Sequence, residues 1–408
     1  MGSPETRMKV QKRDIRFWTT GSFLTLTLLL SVLCASFSLL MINMQKPGCS
    51  RRPYNASQLG HEIFLDDGSR EFRITVVTDL DKNSKHPTKN QWHSFMEYGT
   101  LTVNSDYTKA SVQWDNAEKA KICRCIYKHF ILSDFFKIYI LCRNALIIKN
   151  TLIVQVSLHS TLATDGRSME LSDLVVFDGN LLSIDDRTGI IYQIKNKAAY
   201  PWVFISDGAG NATKGLKGEW MTVKNSYLCV GGLGKEWTDT KGVFLNENPM
   251  WVKFITSDGR IEHVRWVDEY KKLRAAVGIE WPGYMIHESV QWSSIYNKWF
   301  FLPRRVSKYS YNDVDDEKRG ANYLLIASED FSNINYRQIG RSTAARGFSA
   351  FQFIPGSKDR VIVALKSEEE AGIPVASYIT VFNHETNHIL LDEIALPGKF
   401  KYEGIAFV

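Results

Sequence analysis

Polar and apolar positions alternate along much of this 408-residue chain, and such alternation is typical of β-strands. The segment 72–78, Phe-Arg-Ile-Thr-Val-Val-Thr, shows it with β-branched residues, and similar segments follow at 101–103 and 110–114. A helical period is scarce and is clearest from Tyr270 to Val277. The pattern therefore predicts an all-β fold.

One strand-turn-strand unit recurs from Ser168 onward. Each copy has a polar side chain at the head of an apolar strand, followed by a polar turn and a second strand. Spacings of about 50 to 70 residues separate the strand heads Glu170, Glu219, Glu288, Ser349 and Glu403. Because radial repetition leaves few exposed sheet edges, the repeat predicts a five-bladed β-propeller. We expect the final strand, 402–408, to complete a blade begun near 72–114.

The strand heads of a propeller surround one central channel, so their side chains are expected to meet there. Oxygen donors dominate the predicted set, which comprises Glu170, Ser172, Asp173, Glu219, Glu288, Ser349 and Glu403. Ca²⁺ accepts about six to eight oxygen ligands, whereas zinc and copper favour nitrogen or sulfur. The pattern predicts a Ca²⁺ site, and the alternative is that each residue is an ordinary polar strand end.

The N-terminal region has the pattern of a membrane anchor. A basic segment precedes a stretch without charged residues, 17–45, which exceeds the roughly 20 apolar residues that span a bilayer. We therefore expect a cytosolic tail at 1–16, a transmembrane signal-anchor helix at 17–44, a stalk at 45–70 and the propeller at 71–408. A cleaved signal peptide is the alternative.

Two N-x-S/T sequons, at Asn55 and Asn211, agree with a body on the lumenal side. We expect a single-pass type II glycoprotein that faces the Golgi or endoplasmic reticulum lumen, or that is secreted after stalk cleavage. The net charge of +6, without a basic block, argues against a nucleic-acid partner. The six cysteines form neither a disulfide framework nor a zinc pattern.

Residues at about 121–155 do not fit the strand pattern. They are rich in Ile, Leu, Phe and Cys but carry too many charges for a second membrane span. Their periodicity is compatible with a helix or with two strands. We interpret the segment as an insertion in the propeller, either a real one or unspliced sequence translated in frame.

Several stretches resemble calcium-activated nucleotidases, the apyrases of the soluble and Golgi type. The similarity runs from about residue 71 to the C-terminal end of the chain, apart from the insertion. The stretches that carry it include GRSMELSDLVVF (166–177), SIDDRTGIIYQI (183–194), NENPMWVK (246–253), PGYMIHES (282–289), GFSAFQFIP (347–355) and KYEGIAFV (401–408).

This resemblance implies Ca²⁺ in the channel and hydrolysis of nucleoside di- and triphosphates, such as UDP and GDP, to monophosphate and phosphate. It implies the Ca²⁺ ligands Ser172, Asp173, Glu219, Glu288, Ser349 and Glu403, with Glu170 behind them. Nucleotides are thus the expected substrates. We also expect the N-terminal helix to contact the membrane, and the protein is compatible with a homodimer. Two alternatives are a Ca²⁺-stabilised propeller that only binds a partner, and another propeller hydrolase such as a lactonase.

Hydrolysis of a phosphoanhydride needs charge neutralisation and an oriented water or a base. The candidates for orienting water or acting as base are Asp79, Asp81, Asp185 and Asp186. Arg304, with Arg187 and Arg305, is a candidate for gripping phosphate, and the alternative for these arginines is ion pairing. Gly231–Lys235 is not expected to be a P-loop, because Glu236 replaces the Ser or Thr that follows the lysine.

Overall fold

Antiparallel strands build every blade of the structure. The structure is a computed structural model that describes residues 31–32, 53–115 and 155–408. The chain divides into two units, Met1–Pro53 and Tyr54–Val408, and the described strands all lie in the second. The strands of the first half are β1 (Glu62–Phe64), β2 (Arg70–Asp79), β3 (Trp92–Val103), β4 (Ala110–Trp114), β5 (Val156–Ser160), β6 (Leu171–Phe177), β7 (Asn180–Asp185), β8 (Ile190–Lys195), β9 (Ala198–Phe204), β10 (Trp220–Lys224), β11 (Tyr227–Gly231) and β12 (Trp237–Thr238).

The second half continues the same antiparallel pattern and adds short helices. Its strands are β13 (Phe244–Asn246), β14 (Trp251–Ile255), β15 (Ile261–Arg265), β16 (Tyr284–Ser293), β17 (Lys298–Ser307), β18 (Tyr323–Ser328), β19 (Ile334–Gln338), β20 (Arg346–Phe353), β21 (Val361–Glu370), β22 (Ile373–Asn383), β23 (His388–Ala395) and β24 (Lys401–Phe407). Among the described residues of the second unit, the α-helices are α1 (Val267–Ala276) and α2 (Asp313–Asp316). Two 3₁₀ turns lie at Asp81–Ser84 and Asn248–Met250. The helix predicted at 270–277 is therefore present as α1.

Five sheets surround a central channel. Four of them are β6–β9, β10-β11-β14-β15, β16–β19 and β20–β23, and the fifth joins β24 to β2, β3, β4 and β5, with β1 at the edge of β2. The innermost strands β24, β6, β10, β16 and β20 contact one another in that order, and β20 contacts β24 again. β24 pairs with β2, so that Phe407 lies opposite Ile74. This confirms the five-bladed propeller and its closure by the final strand.

Apolar side chains fill the spaces between neighbouring blades. One buried cluster contains Trp220, Trp266 and Trp299, and the rings of the last two meet edge to face with centroids 4.9 Å apart. Each such aromatic side chain buries roughly 150–250 Å² and adds a favourable ring contact. This packing fixes the angle between blades and so holds the strand heads around the channel.

The outer edge of the first blade is one strand made from two segments. β4 pairs with residues 99–103 of β3, and β5 pairs with residues 92–96. Asp115 N donates to Tyr98 O at 2.9 Å, and Gln155 Nε2 donates to Glu97 Oε1 at 2.8 Å. Asp115 and Gln155 therefore lie opposite the consecutive β3 residues Tyr98 and Glu97, so the two segments keep one register along β3. The insertion expected at about 121–155 lies outside the described residues, except for Gln155.

The transmembrane helix expected at 17–44 lies outside the described residues, apart from Ser31 and Val32. Within the described residues, no helix combines the length and the apolar character that a membrane span requires. The stalk expected at 45–70 is described only from residue 53, and its described residues contact the propeller. Tyr54 packs on Phe177 with ring centroids 5.4 Å apart, and β1 pairs with β2, so the body begins near residue 54. Tertiary contacts fix a segment whose Pro and Gly residues break any regular local pattern.

Candidate active site

Four of the five innermost strands carry a β-bulge at a residue that the sequence placed in the channel. The extra residues include Asp173 in β6, Glu288 in β16, Ser349 in β20 and Glu403 in β24. A bulge leaves a residue out of the ladder and changes the direction of its side chain. Glu219 lies directly before β10 and its N–H donates to Gly231 O at 2.8 Å. The polar position that recurs in the sequence repeat is thus the position of a β-bulge in four of the five innermost strands.

A cavity of about 350 Å³ lies at these strand heads. Of the predicted residues, it is lined by Asp79, Asp81, Asp186, Glu219, Glu288, Arg304 and Glu403, together with Arg187 and Arg305. Lysines that the prediction missed are Lys217, Lys235 and Lys401, and Glu369 is a further missed carboxylate. Eleven carboxylates and six cationic side chains line the cavity, so it is strongly acidic.

Arg304 connects three of the carboxylates. Its Nη1 contacts Glu288 Oε2 and donates to Glu403 Oε1 at 2.7 Å, while Nη2 donates to Glu369 Oε2 at 2.6 Å. Burial alone would lower the pKa of Arg304, but the three carboxylates raise it well above its usual value, so the guanidinium stays charged. Ser172 Oγ donates to the other oxygen of Glu403 at 3.2 Å.

Two lysines, Lys217 partly buried and Lys401 buried, hold further acidic side chains of the cavity. Lys217 Nζ contacts Asp186 and lies 2.7 Å from Glu219 Oε1, and Lys401 Nζ lies 2.6 Å from Asp79 Oδ2. Burial nevertheless raises the pKa of Glu219 to about 8, against the opposing effect of Lys217. Glu219 therefore has less positive charge around it than its ionised form requires.

Asp185 does not line this cavity. Its carboxylate accepts hydrogen bonds from Ser168 Oγ at 3.0 Å, Met169 N at 3.0 Å, Arg187 N at 3.1 Å and Thr188 Oγ1 at 2.8 Å. Burial raises its pKa to about 6. Consecutive residues of an extended chain project to opposite sides, so Asp185 faces the turn while its neighbour faces the cavity. Asp185 therefore ties the turn after β7 to the segment that leads into β6.

Three of the six predicted metal ligands, Ser172, Asp173 and Ser349, do not line the cavity. Asp173 has a φ of +69° and accepts from Leu174 N and Met221 N, both at 2.7 Å. Ser349 Oγ donates to Tyr402 O at 2.8 Å. These bonds connect neighbouring innermost strands, so both residues support the positions of the strand heads.

Asp79, Asp81 and Glu170 form a further acidic group, in which one oxygen of each lies within 4.8 Å of the others. Arginine and lysine side chains already contact each of the three carboxylates. Glu170 accepts from Arg167 Nε at 2.7 Å and Arg187 Nε at 2.9 Å, and Asp81 Oδ2 lies 3.0 Å from Lys401 Nζ. Burial, together with the nearby acids, raises the pKa of Glu170 to about 7. We therefore treat this group as a support of the cavity rather than as a second metal site.

The fold and the cavity define a β-propeller whose channel presents carboxylates from several blades. Residues 143–408 match the Apyrase family model. "Apyrase apy-1" of Caenorhabditis elegans is 46% identical over 344 residues, covering 84% of this chain and 86% of the relative. "Soluble calcium-activated nucleotidase 1" of Rattus norvegicus is 45% identical over 341 residues, covering 84% and 75%. "Apyrase" of Cimex lectularius is 39% identical over 339 residues, covering 83% and 82%. The chain belongs to the apyrase family.

Proposed function

We propose that this protein hydrolyses nucleoside di- and triphosphates to monophosphate and phosphate in a Ca²⁺-dependent reaction. The names of its relatives support both the nucleotide substrate and the calcium. The observation that carries the proposal is the meeting of Glu219, Glu288 and Glu403, from three blades, in one cavity with Arg304.

The donor set of the cavity fits Ca²⁺. Among the described residues that line it, oxygen donors are abundant and there is neither His nor Cys. Burial raises the pKa of Glu219 and of Glu403, although Lys217 and Arg304 act in the opposite direction, so further positive charge would stabilise the two carboxylates. A polyphosphate would be repelled by eleven carboxylates facing six cationic side chains. Bound Ca²⁺ would supply the missing positive charge and polarise a phosphate oxygen.

The residues proposed to hold Ca²⁺ differ in how they are placed. Glu219, Glu288 and Glu403 face the cavity, and Ser172 is bonded to Glu403. Asp173 and Ser349 do not line the cavity; each carboxylate oxygen of Asp173 already accepts a backbone N–H, and the hydroxyl of Ser349 donates to Tyr402 O. We therefore propose the three glutamates as the principal ligands and the other three residues as ligands or supports.

We propose that Asp79, Asp81 and Asp186 orient the attacking water or accept its proton. Lysines hold these carboxylates in place, and the Asp81 side chain is the most open of the three, with 31% exposure. Arg304 is fully engaged by carboxylates, so its proposed role is to keep Glu288 and Glu403 side by side. Asp185 is left out of the proposed catalytic set. Its carboxylate already accepts four hydrogen bonds, two from the turn after β7 and two from the segment before β6.

Two arginines are better placed than Arg304 to meet a phosphate. Arg187 lines the cavity with a side chain 35% exposed, and Arg305 has its nearest carboxylate oxygens at 3.8 and 3.9 Å. A guanidinium can bind two phosphate oxygens through parallel N–H groups. We propose that both neutralise charge on the phosphates in addition to Ca²⁺.

We also propose the type II arrangement, with the N-terminal anchor in the Golgi or endoplasmic reticulum membrane and release by cleavage before residue 54. The uncharged stretch at 17–44 and the exposed positions of Asn55 and Asn211 support it. Protease protection of sealed microsomes, with glycosidase digestion of each sequon variant, tests this arrangement.

We also propose a homodimer. The exposed rings of Phe244 and Trp281, 6.2 Å apart, support it, and sedimentation would test it.

The decisive experiment measures phosphate release from UDP, GDP, ADP and AMP by the purified protein. We expect release from the diphosphates with Ca²⁺, none with chelator, and none from AMP. Release from no nucleotide would leave a binding protein or a different hydrolase, and assays with lactones separate these two. Release that persists in chelator would contradict the calcium mechanism.

A further inference from the structure

Two histidines face each other at the outer edge of the first blade. His93 of β3 and His159 of β5 are directly opposed in the antiparallel pairing, and the centroids of their rings lie 6.2 Å apart. His159 is exposed and His93 is partly buried. Neither residue lines the active-site cavity. The pair is therefore a separate cluster of nitrogen donors that the proposed nucleotidase function does not use.

The distance between the two rings suits one shared metal ion. Metal–nitrogen bonds of about 2.0–2.1 Å place the ring centroids of two imidazoles on one ion roughly 5 Å apart at a tetrahedral angle and roughly 6 Å apart at a linear one. The observed 6.2 Å lies at the upper end of this range. Because His159 is exposed, a rotation of its side chain can shorten the separation while the backbone stays in place. The strand pairing thus already holds both rings within reach of one ion.

Neighbouring groups fix the orientation and the tautomer of His93. Its ring lies against the ring of Phe95, with centroids 5.1 Å apart. Burial and two nearby histidines, His159 and His86, lower the pKa of His93, whereas a hydrogen bond with the backbone of Ser84 raises it. A bond that raises a histidine pKa is one that a ring N–H donates, so the other ring nitrogen keeps its lone pair. Metal-bound histidines typically donate their second nitrogen to a carbonyl in this way.

His86 is near the pair but is not a candidate ligand. Its Nδ1 accepts from Thr88 N and from Lys89 N, both at 3.2 Å. In the neutral ring the proton is then on Nε2, so neither nitrogen has a free lone pair for a metal ion. The site therefore offers two protein nitrogens, and water would complete the coordination on the exposed side.

Sheet stability alone does not explain the pair. Two directly opposed histidines repel each other when protonated, as like charges do in an antiparallel ladder. A shared metal ion replaces this repulsion with two bonds to neutral rings. β5 has five residues and, among the described strands, pairs only with β3. An ion held by His93 and His159 would therefore fasten this short strand to its neighbour.

We propose that His93 and His159 together bind one divalent transition-metal ion, such as Cu²⁺ or Zn²⁺, which joins β3 to β5. Imidazole nitrogen suits these ions, whereas Ca²⁺ takes oxygen ligands, so this site and the acidic cavity select different metals. Cu²⁺ is the most tightly bound of the divalent first-row ions and is the probe for the test. The proposal does not depend on the proposed nucleotidase function.

The test titrates Cu²⁺ into the purified full-length protein, with excess Ca²⁺ present to compete for carboxylates. Electron paramagnetic resonance of the wild type should show an ion with two imidazole nitrogens. His93→Gln and His159→Gln should each weaken binding at this site about tenfold or more and leave one nitrogen on the ion. At about one hundred times the dissociation constant, Cu²⁺ should raise the melting temperature of the wild type by about 5 °C, and that of each variant by less.

His86→Asn is the matched control. The side-chain oxygen of asparagine can accept the same backbone N–H groups that His86 Nδ1 accepts. This variant should keep the wild-type affinity and the two-nitrogen spectrum. In chelator the melting temperatures of the three variants should match that of the wild type, which separates the loss of a ligand from unfolding.

Three results would overturn the assignment. The first is a wild-type spectrum in which every bound ion has at most one imidazole nitrogen, because the two histidines would then bind ions independently or not at all. The second is an unchanged affinity in His93→Gln or in His159→Gln. The third is a loss in His86→Asn as large as in the other two variants.

Discussion

Arg304 donates a hydrogen bond to Glu403 across 2.7 Å, although 99 positions separate the two residues in the sequence. Arg304 lies on β17 of one blade, and Glu403 lies at the bulge of the strand that closes the ring. The contact links ring closure to the acidic cavity, because the same nitrogen also contacts Glu288. The predictions below start from this link.

Replacing Arg304 by Met should destabilise the protein in chelator by about 3–5 kcal/mol, because buried carboxylates lose their shared cation. Ca²⁺ should then stabilise the variant more than it stabilises the wild type, since Arg304 no longer competes for Glu288 and Glu403. Thermal unfolding with and without Ca²⁺ measures both effects. Arg346→Met is the control, because Arg346 joins Glu368 and Glu393 outside the active-site cavity. An equal or smaller Ca²⁺ effect in Arg304→Met would contradict the prediction.

Replacing Glu288 by Gln should raise the Ca²⁺ concentration for half-maximal activity about tenfold or more, equivalent to about 1.4 kcal/mol. The affinity of a Ca²⁺ site depends on the number of charged ligands, and the amide removes one. Turnover should fall as well, because Arg304 loses a partner. Calcium titration of the initial rate is the measurement. The control is Glu393→Gln, which alters a carboxylate that pairs with Lys366 outside the cavity and should leave the titration unchanged. An unaltered calcium titration for Glu288→Gln would contradict a metal site shared between the blades.

Deleting residues 116–154 should leave a folded and active protein. Joining Asp115 to Gln155 places 110–115 and 155–160 opposite the twelve residues of β3, with every pair in the observed register. Melting temperature and Ca²⁺-dependent phosphate release measure the outcome.

The matched control removes one residue more and joins Trp114 to Gln155. A one-residue slip sends every side chain of the following strand to the opposite face, so this variant should be much less stable. Equal stability of the two deletions would show that the outer strand of the first blade is not continuous.

The sequence was sufficient to predict the parts of the site that repeat. Glu219, Glu288 and Glu403 occupy the same phase of successive copies, and a propeller brings that phase to its channel. The lysines were missed, although Lys217 and Lys401 each stand two residues before a predicted glutamate. Residues at i and i+2 share a face of a strand, so this Lys-x-Glu spacing was a usable signal.

Other features have no local signal in the sequence. Glu369 lies in a run of three glutamates, and only the pairing of β21 with its neighbours brings one of them to Arg304. Asp185 and Asp186 are adjacent and chemically identical, and which one faces the cavity depends on the register of β7. The exact pairing of strands decides both cases, and it is set by contacts between distant segments.

Closure of the ring by β24 has a consequence for synthesis of the protein. Lys401 and Glu403 are translated after the other strand heads of the described propeller, yet they complete the group of charges at those strand heads. A nascent chain that has not reached them presents the unpaired edge of β2 and an incomplete acidic cavity. If Glu219, Glu288 and Glu403 together bind calcium as proposed, the complete site forms only after this strand has been translated and the ring has closed.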